Sequence, residues 1–267
     1  MNHAIRRRFD RAGASYESVA LVQRDIAARL AALCPARLPG PVLEIGSGSG
    51  LLTRLLAPRR EDGAYVALDI SPGMLGHAAM PGACKVAADG ERPPFAPASF
   101  AFLASASAMH WYGNPQRSIP ADLALLRPGA EFALALIVTG TLEEVAATAR
   151  ETGFGSVLPM RETAFYRDLL EKIPGLDFSL EEARHEVVHP TVLHLLKGLK
   201  GAGVTHTPGP KVASALGYRE FTRFYASHFA APEGGVRASY RVAYVRGRTG
   251  LDEPRSCNTP RLPSRQA

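Results

Sequence analysis

The stretch LEIGSGSGLLTRLL, residues 43–56, constrains the fold more than any other part of the chain. An apolar run breaks into three alternating glycines, and an apolar pattern with helical spacing follows. Such a strand–turn–helix sequence opens the nucleotide-binding half of a doubly wound α/β sheet. A dinucleotide fingerprint asks for glycine at the first, third and sixth positions of the turn. Gly46 and Gly48 fill the first two, but the sixth is Leu51, and Gly50 comes one residue early. A dinucleotide therefore fits poorly, and the rest of the chain has to identify the ligand.

Strand-like and helix-like segments alternate around this turn. Val19, Val22, Ile26, Leu30 and Leu33 recur three or four apart, one apolar stripe of a helix over 17–34. Prolines and a glycine at 35–41 end it. Strands are predicted at 42–45, 64–69, 83–89, 99–107 and 130–138, with helices at 51–57, from Ser71-Pro72 onward, and over 115–125. The order implies parallel pairing through right-handed crossovers. Beyond residue 140 the pattern turns helical, near 141–152, 161–172, 191–201 and 217–228, with a strand at 183–189. SYRVAYVRG, 239–247, alternates and predicts a late, antiparallel edge strand.

The expected architecture is thus α/β: a doubly wound, mostly parallel Rossmann-like sheet with an antiparallel late strand and a helical cap insertion. Its expected divisions are an N-terminal helical lid (1–35), a cofactor-binding core (36–140), a helical cap with a late core strand (141–235), a final core strand (236–247) and a disordered tail (248–267). That tail holds Pro254, Pro260 and Pro263 among arginines with few apolar residues. No apolar run approaches the roughly 18–20 residues that span a bilayer. Three widely spaced cysteines show neither disulfide nor metal spacing, so a reducing, cytoplasmic setting is expected without a metal. The net charge of +6 suits an acidic partner. Aromatic residues do not interleave with the basic ones, which argues against nucleic acid. No exposed apolar stripe stands out, and a monomer is expected.

Ligands of such a sheet sit beyond the C-terminal strand ends, where three features fall in order. Gly46, Gly48 and Gly50 follow the first strand, Asp69 closes the second, and Asp89 closes the third ahead of Gly90 and Glu91. S-adenosylmethionine asks for this set. Its methionine carboxylate suits bare backbone amides in the glycine turn, and Glu44 suits its ammonium. Asp69 can accept both ribose hydroxyls, and Asp89 the adenine amino group. No pyrophosphate is present to demand a glycine at 51. Ser47, Ile70, Met74 and Ser105, at or near the same strand ends, complete the expected donor-binding residues.

LEIGSGSG, ALDISPGML and AADGERPPF together resemble the class I S-adenosylmethionine-dependent methyltransferases. More discriminating are FDRAGASYESVALVQ with its Phe9/Tyr16/Gln23 pattern, SAMHWYGNP, IVTGTLEEV and LKGLKGAGVTH, which ends at His206. These are similar to the malonyl-acyl-carrier-protein O-methyltransferases of biotin synthesis, over roughly residues 9–246. The resemblance implies methylation of the free carboxylate of malonyl-acyl carrier protein, or of malonyl-CoA, with S-adenosylhomocysteine as by-product. The carrier would present its malonyl group on phosphopantetheine. Tyr16 and His110 are then the candidate catalytic residues, and Trp111, Lys197 and Lys200 the further substrate-binding candidates. Arg6, Arg7 and Arg8 join the two lysines as possible carrier contacts. Core-packing roles for Tyr16, His110 and Trp111 stay open at this point. So do a different small-molecule carboxylate, phenol or quinone as acceptor, and a non-catalytic binding subunit that retains the fold.

Overall fold

The computed structural model describes residues 20–201 and 215–251. Tyr16, Arg6–Arg8, the end of the LKGLKGAGVTH segment and the tail from 252 lie outside the described residues.

Among the described residues the chain builds one seven-stranded sheet: β1 (Val42–Ile45), β2 (Tyr65–Asp69), β3 (Ala83–Ala87), β4 (Phe100–Ala106), β5 (Leu126–Ile137), β6 (Asp177–His189) and β7 (Val236–Arg248), in the order β3-β2-β1-β4-β5-β7-β6. The first five strands pair in parallel, and β7 runs antiparallel to both neighbours. The helices are α1 (Leu21–Leu33), α2 (Thr53–Leu56), α3 (Pro72–His77), α4 (Pro115–Leu123), α5 (Glu143–Thr152), α6 (Thr163–Glu171), α7 (Val192–Gly201) and α8 (Ala215–His228).

Local chemistry sets these elements. All four residues of β1 are buried, as a central parallel strand covered on both faces requires. Ser71 caps α3 by accepting from the Met74 amide at 3.1 Å, with Pro72 behind it in the first turn. Asn114 and Pro115 repeat the device at α4. Glu143 and Glu144 sit in the first turn of α5, and Gly153 ends it in the left-handed conformation.

The core has two layers. On one face, Val22, Ile26 and Leu30 of α1 join Val145, Leu195, Phe221 and Tyr225, so that α1, α5, α7 and α8 share one cluster with the sheet. On the other, Ile119 and Leu123 of α4 and Tyr166, Leu169 and Leu170 of α6 pack against Leu43, Leu103 and Leu134.

The alternation of 239–247 predicts an edge strand, and here the structure differs. β7 is interior, with β5 on one side and β6 on the other. Its apparent polar face is carried by arginines that pair outward, as Arg241 does with Glu182 at 3.0 Å and Arg248 with Glu131 at 2.9 Å. The edge is β6, and it begins at Asp177 rather than near 183. Its acidic DFSLEE start lies outside the expected strand, and a charged edge tolerates those side chains while the backbone pairs with β7.

Candidate active site

The strand order reverses between β1 and β4, and a cleft opens beyond their C-terminal ends, as the topology requires. Its floor is the turn after β1. Gly46 and Gly48 both adopt left-handed backbone, at φ 77° and 53°. A side chain at Gly46 would collide with Ala108 from the segment after β4. A Cβ at Gly48 would meet nothing nearer than Met74 Cε at 3.6 Å, so there the missing side chain leaves space in the cleft.

The turn is tied to β2. Asp69 accepts from the Gly48 amide through Oδ2 and from the Ser71 amide through Oδ1, both at 2.8 Å. A carboxylate oxygen can accept more than one hydrogen bond, and Asp69 lines the cleft. The bare backbone amides expected of this turn are otherwise engaged. The Gly46 and Ser47 amides donate to Leu68 O at 2.7 and 3.0 Å, and the Gly50 amide donates to Ser47 O at 2.8 Å. What the turn offers instead is side chains: Ser47 Oγ and Ser49 Oγ are buried on the cleft wall without a hydrogen-bond partner among the described residues.

Glu44 lies beneath the turn, buried, and also lines the cleft. Burial pushes its carboxyl up to about 7, against the opposing hydrogen bonds that its Oε2 accepts from Thr53 Oγ1 at 2.6 Å and Tyr65 OH at 2.7 Å. A cation placed beside it would restore the carboxylate, which suits a ligand ammonium.

Ile70 and Met74 border the cleft from the β2 side, and Gly90 from the β3 side. Gly90 is held by Tyr112, whose hydroxyl lies 2.9 Å from Gly90 O and 2.7 Å from Asp122 Oδ2. His110 and Trp111 line the opposite wall, in the segment after β4. Burial pulls His110 down to about 3, so its ring is uncharged at neutral pH.

Other expected site residues stand elsewhere. Asp89 accepts from the Glu91 amide at 3.0 Å, and Glu91 fixes the start of α4 by accepting from Gly113, Asn114 and Ser118. Neither is on the cleft wall. Ser105 donates to Ile45 O at 2.8 Å and clips β4 to β1. Gly50 faces Met80, with a Cβ there only 2.8 Å from Met80 Cγ. Lys197 and Lys200 are exposed on α7, away from the cleft. Among the described residues no His/Cys/Asp/Glu group could hold a metal, and no helix is long and apolar enough to cross a membrane.

Met160 and Tyr240 line the cleft without any signal in the sequence, and Ser49, Ser107, Tyr112 and Thr141 do so from within motifs that did not single them out. Gln23, singled out within a motif, lines the cleft from α1, with Oε1 buried and without a hydrogen-bond partner among the described residues. Gln23, Ser47, Ser49, Ser107 and His110 all line this cleft, and each carries such an atom. Buried polar atoms seldom stay unpaired, so the cleft suits a ligand rich in polar groups, as S-adenosylmethionine is.

Fold and cleft together define a class I S-adenosylmethionine-dependent methyltransferase, and residues 43–134 match the family model described as a methyltransferase domain. The chain is 30% identical over 260 residues to a malonyl-[acyl-carrier protein] O-methyltransferase of Dechloromonas aromatica, covering 91% of this chain and 93% of that protein. It belongs to the malonyl-[acyl-carrier protein] O-methyltransferase family. The enzyme of that name from Serratia marcescens is 26% identical over 257 residues, covering 90% and 93%. The biotin biosynthesis bifunctional protein BioCD of Bordetella avium is 32% identical over 214 residues, covering 76% of this chain and 44% of that one. Among solved structures, the YcgJ protein of Bacillus subtilis superposes with a TM-score of 0.57 at 13% identity, covering 88% and 98%. An S-adenosylmethionine-dependent methyltransferase of Thermotoga maritima does so at 0.53 and 16%, covering 91% and 99%. At those identities the likeness is one of fold.

Proposed function

We propose that this chain methylates the free carboxylate of a malonyl thioester carried on acyl carrier protein, an early step of biotin synthesis. The observation that carries the reading is a relative of that name aligned along nearly the whole of both chains. The cleft supports it. A malonyl carboxylate is ionised at neutral pH, since such acids titrate near about 4, so no general base is required. Consistent with this, the histidine that lines the cleft, His110, is uncharged at neutral pH.

S-adenosylmethionine supplies a methyl group made electrophilic by a sulfonium. Glu44 would face its ammonium, Ser47 and Ser49 its carboxylate, Asp69 its ribose and Gly90 the base. The apolar remainder of the wall, with Leu51, Leu52, Ile137 and Met160, excludes the water that would otherwise solvate the attacking anion. Esterification then removes a charge that chain-elongating enzymes could bury only at high cost.

Intact mass spectrometry of the carrier tests the reading. Incubation of malonyl-acyl carrier protein with enzyme and S-adenosylmethionine is expected to add the mass of one methylene. An unchanged carrier, under conditions where S-adenosylmethionine binds, would contradict it.

A further inference from the structure

The segment after β4 carries two polar atoms to which the donor placement proposed above gives no partner. Ser107 stands at φ 55°, a left-handed backbone that few residues other than glycine adopt, and its amide donates to Ala135 O at 2.9 Å. Its Oγ is buried and has no hydrogen-bond partner among the described residues. Three residues on, His110 Nδ1 is buried and unpartnered as well, and both residues line the cleft. Non-glycine residues in this conformation cluster at functional sites, where the surroundings hold them against the strain. A neutral imidazole carries one N–H, and with that proton on Nδ1 the ring is a donor. No lysine or arginine lies among the described residues that line the cleft.

We propose that Ser107 Oγ–H and His110 Nδ1–H hold the reacting carboxylate of the acceptor as a pair of uncharged hydrogen-bond donors. This rests on the carboxyl-methylation reading above. In that reaction an oxygen–methyl bond forms as the sulfur–methyl bond breaks. The electron pair leaves with sulfur, and no proton moves. The acceptor's negative charge therefore vanishes along the reaction. A cationic clamp would stabilise the anion more than the nearly neutral transition state and so raise the barrier. Neutral donors orient the two oxygens with less of that penalty, and they release the ester, a weaker acceptor. A carboxylate has about four lone-pair sites, so two donors leave one free to attack.

Ser107→Gly removes the hydroxyl while suiting the left-handed backbone. The test compares binding of malonyl- and acetyl-acyl carrier protein to enzyme saturated with S-adenosylhomocysteine. Wild type is expected to prefer the malonyl form by at least about tenfold. Ser107→Gly should lose most of that preference, with S-adenosylhomocysteine and acetyl-carrier affinities held within about twofold. Ser107→Asn, a polar residue that tolerates the same backbone, should recover part of it. If Ser107→Gly does not fold, His110→Phe reads the same preference through the other donor. A Ser107→Gly enzyme that keeps the full preference would overturn the pairing while leaving carboxyl methylation standing. Wild type that neither prefers nor methylates the malonyl form would overturn both.

Discussion

Tyr65 donates its hydroxyl to Glu44 Oε2 at 2.7 Å, across the first two parallel strands and directly below the glycine turn. The pair holds a carboxyl that burial pushes up to about 7, where the proposed placement of S-adenosylmethionine would bring its ammonium. Between about 4.5 and 7 the folded protein binds a proton that the unfolded chain has released. Stability without ligand therefore falls as pH rises through that window, by on the order of 3 kcal/mol. Glu44→Gln keeps an uncharged acceptor for Thr53 and Tyr65. Thermal unfolding at pH 8 should show a higher Tm for the variant, and calorimetry a much weaker S-adenosylmethionine affinity. In wild type that affinity should fall as pH drops below 7. A flat pH profile would contradict the role.

Asp69 joins the glycine turn to the start of α3 through the Gly48 and Ser71 amides. Asp69→Ala strands both amides, at about 1–3 kcal/mol each if they stay dry. It should lower Tm and weaken S-adenosylmethionine binding by more than tenfold. Asp69→Asn, which retains one acceptor oxygen, should fall between. Equal Tm for wild type and Asp69→Ala would refute the anchoring.

The last two glycines of the turn should separate cleanly. A side chain at Gly48 or Gly50 meets left-handed backbone and costs about 1–2 kcal/mol. At Gly48 the added methyl also points into the cleft, so Gly48→Ala should weaken donor binding. At Gly50 it presses on the flexible end of Met80, so Gly50→Ala should lower Tm and spare affinity. Parallel losses of affinity in both would contradict this division.

Asp122 is a buried acid that burial and the nearby Glu91 and Asp89 charges raise to about 8, against its hydrogen bond from Tyr112. Its unfolded counterpart ionises near 3.8, so the folded state holds the extra proton from there to about 8 and loses stability as pH rises across that range. Asp122→Asn removes this penalty and should raise Tm at pH 7–8. Tyr112→Phe instead unfastens Gly90 and should cost about 1–2 kcal/mol with weaker donor binding. An Asp122→Asn variant less stable than wild type at pH 8 would show that Asp122 is ionised in the fold.

The sheet's parallel half was legible because VLEI and YVALD are short apolar runs between turn residues, a pattern few structures other than a buried strand satisfy. β6 and β7 were less so, because residues 177–182 carry exposed charges and are strand only through their backbone pairing with β7. Asp69 was legible from its place at a strand end. Asp89 and Glu91 occupy a similar place, but the bonds that Asp89 accepts from the Glu91 amide and Glu91 from the start of α4 are not written in the residues themselves. Nothing in SASAMHW announces the left-handed conformation of Ser107, which the register of β4 against β5 imposes. Likewise, the glycine pattern gave the turn but not the internal bonds that occupy its amides.

The most direct test is methyl transfer from labelled S-adenosylmethionine, offered in parallel to malonyl-acyl carrier protein, acetyl-acyl carrier protein, free malonate and a simple phenol. Label should appear on the malonyl carrier as a methyl ester, in far greater yield than on free malonate, and not on the acetyl form. Label on the phenol, or on free malonate as readily as on the carrier, would contradict carrier-bound carboxyl methylation.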